Sequence, residues 1–157
     1  MTTVSVPSPV RVTTGELPAL VGRVLGHSAW HTVTQADANT FGAATGDMQW
    51  IHTDPARAAH GPYGQTIAHG YLTLSITNMF LPQLVTVSTS KLGINYGANK
   101  VRFPAPVPVN SRIRVGGEVL EADDIPGGVQ MIVRLTVEVE GSEKPACVVE
   151  SVTRWMF

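Results

Sequence analysis

Two side chains that can move protons lie close together in the segment Gly46–Pro55, which reads GDMQWIHTDP. Asp47 and His52 are five residues apart, in a predicted loop, Asp47–Thr53, between two predicted helices. A carboxylate and an imidazole at this spacing can converge on one water molecule and act as a general acid/base pair. In the structural alternative, Asp47 caps a helix end and His52 is a half-buried polar residue. The spacing alone leaves both interpretations open.

A second segment, Ile67–Gly70 (IAHG), directly precedes a long apolar stretch, Tyr71–Leu84, that we predict to be a helix. The N–H groups at a helix N-terminus have no intrahelical acceptor, and the helix dipole favours negative charge there. Gly70 would let a ligand approach this backbone closely. The segment could therefore stabilise a carbonyl oxygen that acquires charge, as an oxyanion hole does. The alternative is an ordinary junction between a loop and a helix.

Imidazoles and carboxylates also bind zinc and iron, so His52, His60 and His69 with Asp47 and Asp54 are candidate metal ligands. No two of these histidines have the i, i+4 spacing that places both zinc ligands of a metalloprotease on one helix face. We therefore predict that the protein holds no metal ion.

Helices with clear start and stop signals flank the predicted loop. Thr34, followed three residues later by Asp37, predicts a capping box at the start of a helix over Gln35–Thr45. Gly46 is suited to end that helix because glycine adopts the left-handed conformation without strain. Asp54, followed by a proline, predicts the start of another, short helix.

The rest of the chain combines one apolar helix with long strands. Tyr71–Leu84 is apolar on more than one face, so we expect it to be buried on most sides, with Met79 and Phe80 in the core. The strongest alternation of apolar and polar residues runs over Val129–Val139, after a turn predicted at Asp123–Gly128. Further strands are predicted at Leu92–Gly97, Arg112–Val119 and Ala146–Met156. These elements predict an α+β fold in which a long curved antiparallel sheet wraps around a central helix.

The composition fits one globular domain of 157 residues, 43% of them hydrophobic and 15% charged. A net charge of −1 without charge runs argues against a nucleic-acid partner, and no apolar run is long enough to span a membrane. The single cysteine, Cys147, excludes an internal disulfide and a cysteine-based zinc site. Residues 1–21 are predicted to form an arm and residues 22–157 the domain. With no signal-peptide features at the start of the chain, we expect a soluble cytoplasmic protein.

The two motifs resemble those of the MaoC-like dehydratase family, the R-specific enoyl-CoA hydratases of hotdog fold. The family signature reads Gly-Asp-x-Asn-Pro-aliphatic-His-x-Asp-Pro, followed further along the chain by aliphatic-x-His-Gly. Gln49 and Trp50 stand in place of Asn-Pro, a form similar to nodulation-protein-N-like sequences, and Val101–Val107 resembles a later family strand. The matching residues are Gly46, Asp47, Ile51, His52, Asp54 and Pro55 in the first motif and Ile67, His69 and Gly70 in the second.

The resemblance implies a single hotdog domain and a hydro-lyase that adds water reversibly to a trans-2-enoyl-CoA thioester, giving the (R)-3-hydroxyacyl-CoA. Asp47 would take the proton of the attacking water, while His52 would orient this water and share the proton delivered to C2. The Gly70 N–H would bind the thioester oxygen. The resemblance also implies a homodimer or a dimer of dimers joined edge to edge, and no cofactor besides the CoA of the substrate.

Four residues are expected to contact the substrate. Counting from the His-Gly pair, Asn78 corresponds to a small polar residue that lines the site in the better-known hydratases. His69 belongs to the same motif, and Trp50 and Tyr63 could either shape an apolar pocket or pack in the core.

Two other functions stay open. Acyl-CoA thioesterases of the same fold also use a carboxylate near the central helix to activate water, although they usually lack the Asp-x-x-x-x-His pair. A non-catalytic protein that binds acyl thioesters is the second alternative, which the replacement by Gln49 and Trp50 keeps open.

Overall fold

The computed structural model describes residues 8–157, and residues 1–7 of the predicted arm lie outside this range. A 3-10 helix spans Thr14–Leu20. The α-helices are α1 (Gln35–Thr45), α2 (Trp50–Thr53), α3 (Pro55–Ala58) and α4 (Gly70–Leu84). The strands are β1 (Val10–Val12), β2 (Val24–His27), β3 (His31–Thr32), β4 (Val85–Val87), β5 (Leu92–Arg102), β6 (Arg112–Ile125), β7 (Gly128–Val139) and β8 (Cys147–Met156).

The main sheet is antiparallel, in the order β2-β6-β7-β8-β5, with β3 paired to β6 beside β2. β6 and β7 form its longest pair and are joined at Pro126 and Gly127. The predicted turn at Asp123–Gly128 is therefore too long, since β6 continues to Ile125. Asp123 and the following aspartate are exposed there, so strand pairing costs them no contact with water.

The sheet curves around α4, as predicted. Alternate residues of β6, β7 and β8 are buried, and α4 supplies Leu72, Phe80 and Leu84 to the same core. A Cβ at Gly117 of β6 would lie 2.9 Å from the Leu84 side chain, so this glycine lets the helix approach the sheet closely. The core thus fixes the position of α4, and with it the helix N-terminus that precedes Tyr71.

One side of α4 is not covered by any segment within residues 8–157. Phe80 is buried as predicted, but Met79 is 46% exposed and Tyr71 is 70% exposed, so the expected burial of Met79 is wrong. The physical reason is that one sheet can cover only one side of a helix. β5 pairs with β8 along one edge, and no other strand among residues 8–157 pairs with its opposite edge.

The described part of the arm contributes to the domain. β1 pairs with β4 in a small parallel sheet, and Leu17 and Leu20 of the 3-10 helix are buried in the core. A division of the chain at residue 21 stays a prediction. None of the helices within residues 8–157 has the length and apolar character needed to cross a membrane.

Candidate active site

Helix α1 ends immediately before Asp47. At its start, the Thr34 hydroxyl accepts a hydrogen bond from the Asp37 N–H, and the Asp37 carboxylate accepts hydrogen bonds from the backbone N–H and hydroxyl of Thr34. At its end, Gly46 adopts the left-handed conformation (φ 79°), which turns the chain out of the helix. The predicted boundaries of this helix are confirmed, and they place the Asp47 carboxylate at the start of an exposed turn.

His52 lies on a short helix where the sequence predicted only a loop. α2 forms one turn over Trp50–Thr53, and the Thr53 hydroxyl donates to the carbonyl oxygens of Met48 and Gln49. Four residues are too few for a helical pattern to be recognised in a sequence, and α3 starts directly afterwards. The extra turn directs the His52 side chain inward, where it is 8% exposed.

The hydrogen bonds of His52 assign its two ring nitrogens. Nδ1 lies 2.7 Å from the carbonyl oxygen of Ile67, which can only accept, so Nδ1 carries the proton and Nε2 has the free lone pair. Burial lowers the pKa of His52 below its usual 6.5, against the opposing effects of the Ile67 carbonyl and the Asp47 carboxylate. The neighbouring His69 lowers the pKa further. Near pH 7 the imidazole is therefore neutral and accepts a proton through Nε2.

His69 joins the two predicted motifs. Its side chain is 2% exposed, and its Nε2 lies 2.8 Å from the backbone carbonyl oxygen of Asp47. One ring face stacks on His52, with 3.8 Å between ring centroids and 26° between ring planes, and the ring also contacts Phe41 at 5.0 Å. One polar side-chain atom from each of Asp47, His52 and His69 lies within 4.8 Å of the others. The structure thus brings the predicted carboxylate and imidazole together, with a second imidazole beside them.

Such a cluster could in principle bind a metal ion, but the stacking of the two rings disfavours it. An imidazole binds a metal through a lone pair that lies in the plane of its ring. A metal within bonding distance of nitrogens on both His52 and His69 would lie between two nearly parallel rings, away from both planes. The geometry therefore favours proton transfer over metal binding for Asp47 and the two histidines.

A cavity of about 310 Å³ lies beside this cluster at the start of α4. The His52 side chain forms one part of its wall, and the helix N-terminus at Gly70 forms another. A Cβ at Gly70 would lie 3.2 Å from the ring of Phe103, so only glycine fits there without moving that ring. The other lining residues are Tyr63, Ile67, Ala68, Thr73, Pro104, Ala105, Pro106, Val107 and Ala146.

The residues predicted to contact the substrate lie in different places. Tyr63 lines the cavity, whereas Asn78 lines a second cavity of about 250 Å³ two turns further along α4. The lining residues of these two cavities, all within 8–157, do not include Asp47, Trp50 or His69. The Trp50 ring packs over Gly61 and beneath the Arg57 guanidinium, which is 4.5 Å from the ring centroid.

Several cavity residues were not predicted as site residues, among them Thr73 and Phe103. Thr73 lies three positions after Gly70, hence on the same face of α4, and this spacing could have identified it. Phe103 belongs to the matched Val101–Val107 segment, but no local pattern shows that its ring lies against Gly70. That contact joins segments more than 30 residues apart in the chain.

Comparison with known proteins identifies the family. Residues 16–141 match the MaoC like domain family. The chain belongs to this family. This MaoC-like chain is 54% identical over 142 residues to 3-hydroxyacyl-thioester dehydratase Z of Mycobacterium tuberculosis, covering 90% of the chain and 94% of that protein. It is 38% identical over 146 residues to Nodulation protein N of Rhizobium leguminosarum bv. viciae, covering 90% of each.

The structural comparison agrees. The MaoC-like chain superposes on the (R)-hydratase from A. caviae involved in PHA biosynthesis with a TM-score of 0.70 and 24% identity, covering 86% of this chain and 96% of that one. The resemblance proposed from the sequence and the hotdog fold that it implied are both confirmed.

Proposed function

We propose that the protein adds water reversibly to trans-2-enoyl-CoA thioesters and forms the (R)-3-hydroxyacyl-CoA. The observation that carries this proposal is the proximity of Asp47 to His52, whose side chain lines a cavity together with the N-terminus of α4. The similarity to a protein named 3-hydroxyacyl-thioester dehydratase supports the same chemistry in either direction. The (R) configuration rests on the family resemblance and on the fold shared with an (R)-hydratase.

The acid/base pair can carry the proton that hydration moves. A water molecule between the two side chains would donate hydrogen bonds to the Asp47 carboxylate and to Nε2 of His52. As the water oxygen bonds to C3, Asp47 takes one of its protons, and the pair returns a proton to C2. The product gains one hydroxyl and one hydrogen, and both side chains end in their starting protonation states.

The N-terminus of α4 can stabilise the charge that develops on the substrate. Attack at C3 moves negative charge onto the thioester oxygen, and the Gly70 N–H would donate to this oxygen at the positive end of a 15-residue helix. One such donor typically contributes about 10²–10³ in rate. The Asp47–His52 pair and the Gly70 N–H would account for both proton transfers and the developing charge, so we propose that no cofactor takes part. Prolonged dialysis against EDTA should then leave the rate unchanged.

The acyl group can follow α4 away from the cluster. The first cavity, with Tyr63 and Phe103 in its wall, accepts the reacting end, and the second cavity at Asn78 lies further along the same helix. We propose that the acyl chain extends towards Asn78. Trp50 and His69 line neither of these cavities, so we do not assign them substrate contacts.

We also propose a homodimer joined through β5. This strand has one free edge among the described residues and carries the exposed apolar side chains of Leu92, Ile94 and Tyr96. Unpaired strand edges associate readily, so pairing with a second copy would remove the exposed edge. Light scattering on the purified protein measures the mass directly. A cytoplasmic location stays a prediction from the sequence.

The test of function is a substrate panel. Enoyl-CoA thioesters from crotonyl to long-chain are incubated with the protein, and loss of the conjugated absorbance is followed, with chiral analysis of the product. Hydration removes the absorbance and releases no thiol. Release of free thiol, with the unsaturated acid as the other product, would identify a thioesterase instead. Binding of the thioesters with neither change would identify a non-catalytic binding protein.

A further inference from the structure

His69 makes contacts that the proposed reaction does not use. Its ring is buried and lines neither of the cavities described above, which argues against direct contact with substrate. Nε2 donates to the Asp47 carbonyl oxygen, because a carbonyl can only accept, and the ring supports His52 from one side. The backbone of the same residue directly precedes Gly70 and α4. The side chain of His69 therefore links the Asp47 backbone to the His52 ring, and its backbone leads into α4.

This contact holds the Asp47 peptide group, while the Thr53 hydroxyl holds the next two carbonyl groups of the turn. Residues 46–49 are all exposed, and the other hydrogen bonds of the Asp47 residue are local and long, at 3.4 Å. Among residues 8–157, the bond from His69 is the one long-range hydrogen bond that holds the Asp47 peptide group. The interior of α1 makes room for this carbonyl, since a Cβ at Gly42 would lie 2.9 Å from its oxygen.

The glycine at position 42 of α1 fits this position of the Asp47 carbonyl group. Glycine inside a helix is less favourable than alanine by about 1 kcal/mol. Here the absent side chain lets the Asp47 carbonyl lie between α1 and the His69 ring. Gly42 in α1 thus leaves space for the Asp47 carbonyl group, and His69 before α4 donates a hydrogen bond to it.

We propose that His69 is a positioning residue for hydration, which sets the distance between the Asp47 carboxylate and the His52 imidazole through its hydrogen bond and its stacked ring. The proposal rests on the proposed function of the Asp47–His52 pair. It replaces the substrate-binding role predicted from the sequence with one in which His69 acts through its two neighbours. A misplacement of about 1 Å in an acid/base pair can cost about 10²-fold in rate.

Two substitutions separate the contacts. His69→Phe keeps an aromatic ring against His52 but removes the hydrogen-bond donor. His69→Gln removes the ring but places an amide N–H near the position of Nε2. His60→Gln is the matched control, because His60 is exposed and lies outside the cluster.

Steady-state kinetics with crotonyl-CoA give the first test. We expect His69→Phe to lower kcat about 10²-fold with KM within about threefold of wild type, and His69→Gln to recover part of the loss. His60→Gln should match wild type. A kcat for His69→Phe within about twofold of wild type would overturn the proposal. A raised KM at unchanged kcat would also overturn it, in favour of a substrate contact.

NMR gives a second test that does not depend on activity. Nitrogen relaxation should show larger motion at the Met48 and Gln49 amides in His69→Phe than in wild type, His69→Gln or His60→Gln. In the wild-type protein, the nitrogen shifts of His69 should report a protonated Nε2. If wild type hydrates no enoyl-CoA, the proposed function fails while these two measurements still decide the role of His69. Unchanged amide motion in a folded His69→Phe, or a protonated Nδ1 of His69 in wild type, would refute the positioning role of His69.

Discussion

Gly70→Ala tests the oxyanion site with a single methyl group. The new Cβ would lie 3.2 Å from Cδ2 and Cε2 of Phe103 and 3.3 Å from Cγ, whereas carbon atoms pack best at about 3.5–4.0 Å. The ring must therefore move by a few tenths of an ångström, within the wall of the cavity. The N–H of residue 70 is retained, but the methyl group and the displaced ring restrict the approach of a carbonyl oxygen.

Stability and activity should respond differently to this substitution. Alanine is favoured over glycine in helices by up to about 1 kcal/mol, which offsets the crowding, so we expect Tm to change by no more than about 4 °C. Loss of one oxyanion donor costs about 10²–10³ in rate, so kcat/KM should fall about 10²-fold. The assay is hydration of crotonyl-CoA together with a thermal melt.

Gly15→Ala is the control, since a Cβ there meets no atom within 4 Å and the residue does not line the cavity. The double variant Gly70→Ala/Phe103→Leu locates the cause: recovery of activity assigns it to the displaced ring, and no recovery assigns it to the methyl group. If folded Gly70→Ala keeps kcat/KM within about threefold of wild type, the thioester oxygen does not bind at the Gly70 N–H.

Four further predictions concern the acid/base pair and the sheet edge. Asp47→Ala or His52→Ala should lower hydratase activity by about 10²–10⁴ while circular dichroism shows a folded protein. Because the pKa of His52 is lowered in the folded state, the acid limb of the kcat/KM profile should lie below pH 6.5. His52 binds a proton more weakly in the folded protein than in the unfolded chain. Its contribution to the free energy of unfolding is therefore present above about pH 6.5 and declines as the pH falls towards the folded-state pKa. Urea melts at several pH values measure this decline. Ile94→Lys places a charge on the free edge of β5 and should shift the dimer to monomer in light scattering.

Three results would contradict predictions about turnover, the acid limb and the dimer. Asp124→Ala, at an exposed strand position, is the control for loss of a carboxylate. Wild-type turnover in Asp47→Ala would exclude the proposed acid/base pair. An acid limb above pH 6.5 would show that His52 does not set it, because burial holds the pKa of this imidazole below that value. An unchanged dimer mass in Ile94→Lys would place the interface elsewhere than at this edge.

Local sequence patterns were sufficient to predict an element where its own residues determine its ends. Thr34 and Asp37 satisfy the first N–H groups of α1 with their own side chains, and Gly46 ends the helix because of its backbone freedom. The long alternating series of β7 and the apolar α4 were likewise recognisable, since each must bury a face whatever it packs against. The motif residues Asp47, His52 and Gly70 follow from spacing and resemblance.

Other features needed the folded chain. α2 is one turn long, so its formation depends on the hydroxyl of Thr53 and on the burial of His52 more than on any sequence period. Met79 has the apolar side chain that is typical of a core residue, but it is exposed because the sheet covers only one side of α4.

The sequence by itself determined the fold class, the central helix and the residue types of an acid/base site, because short-range capping, periodicity and motif spacing are properties of neighbouring residues. Only the tertiary structure decided that His69 stacks on His52 and holds the Asp47 carbonyl, and that Phe103 closes against Gly70. These contacts join segments far apart in the chain, and their distances are set by how the sheet packs on α4.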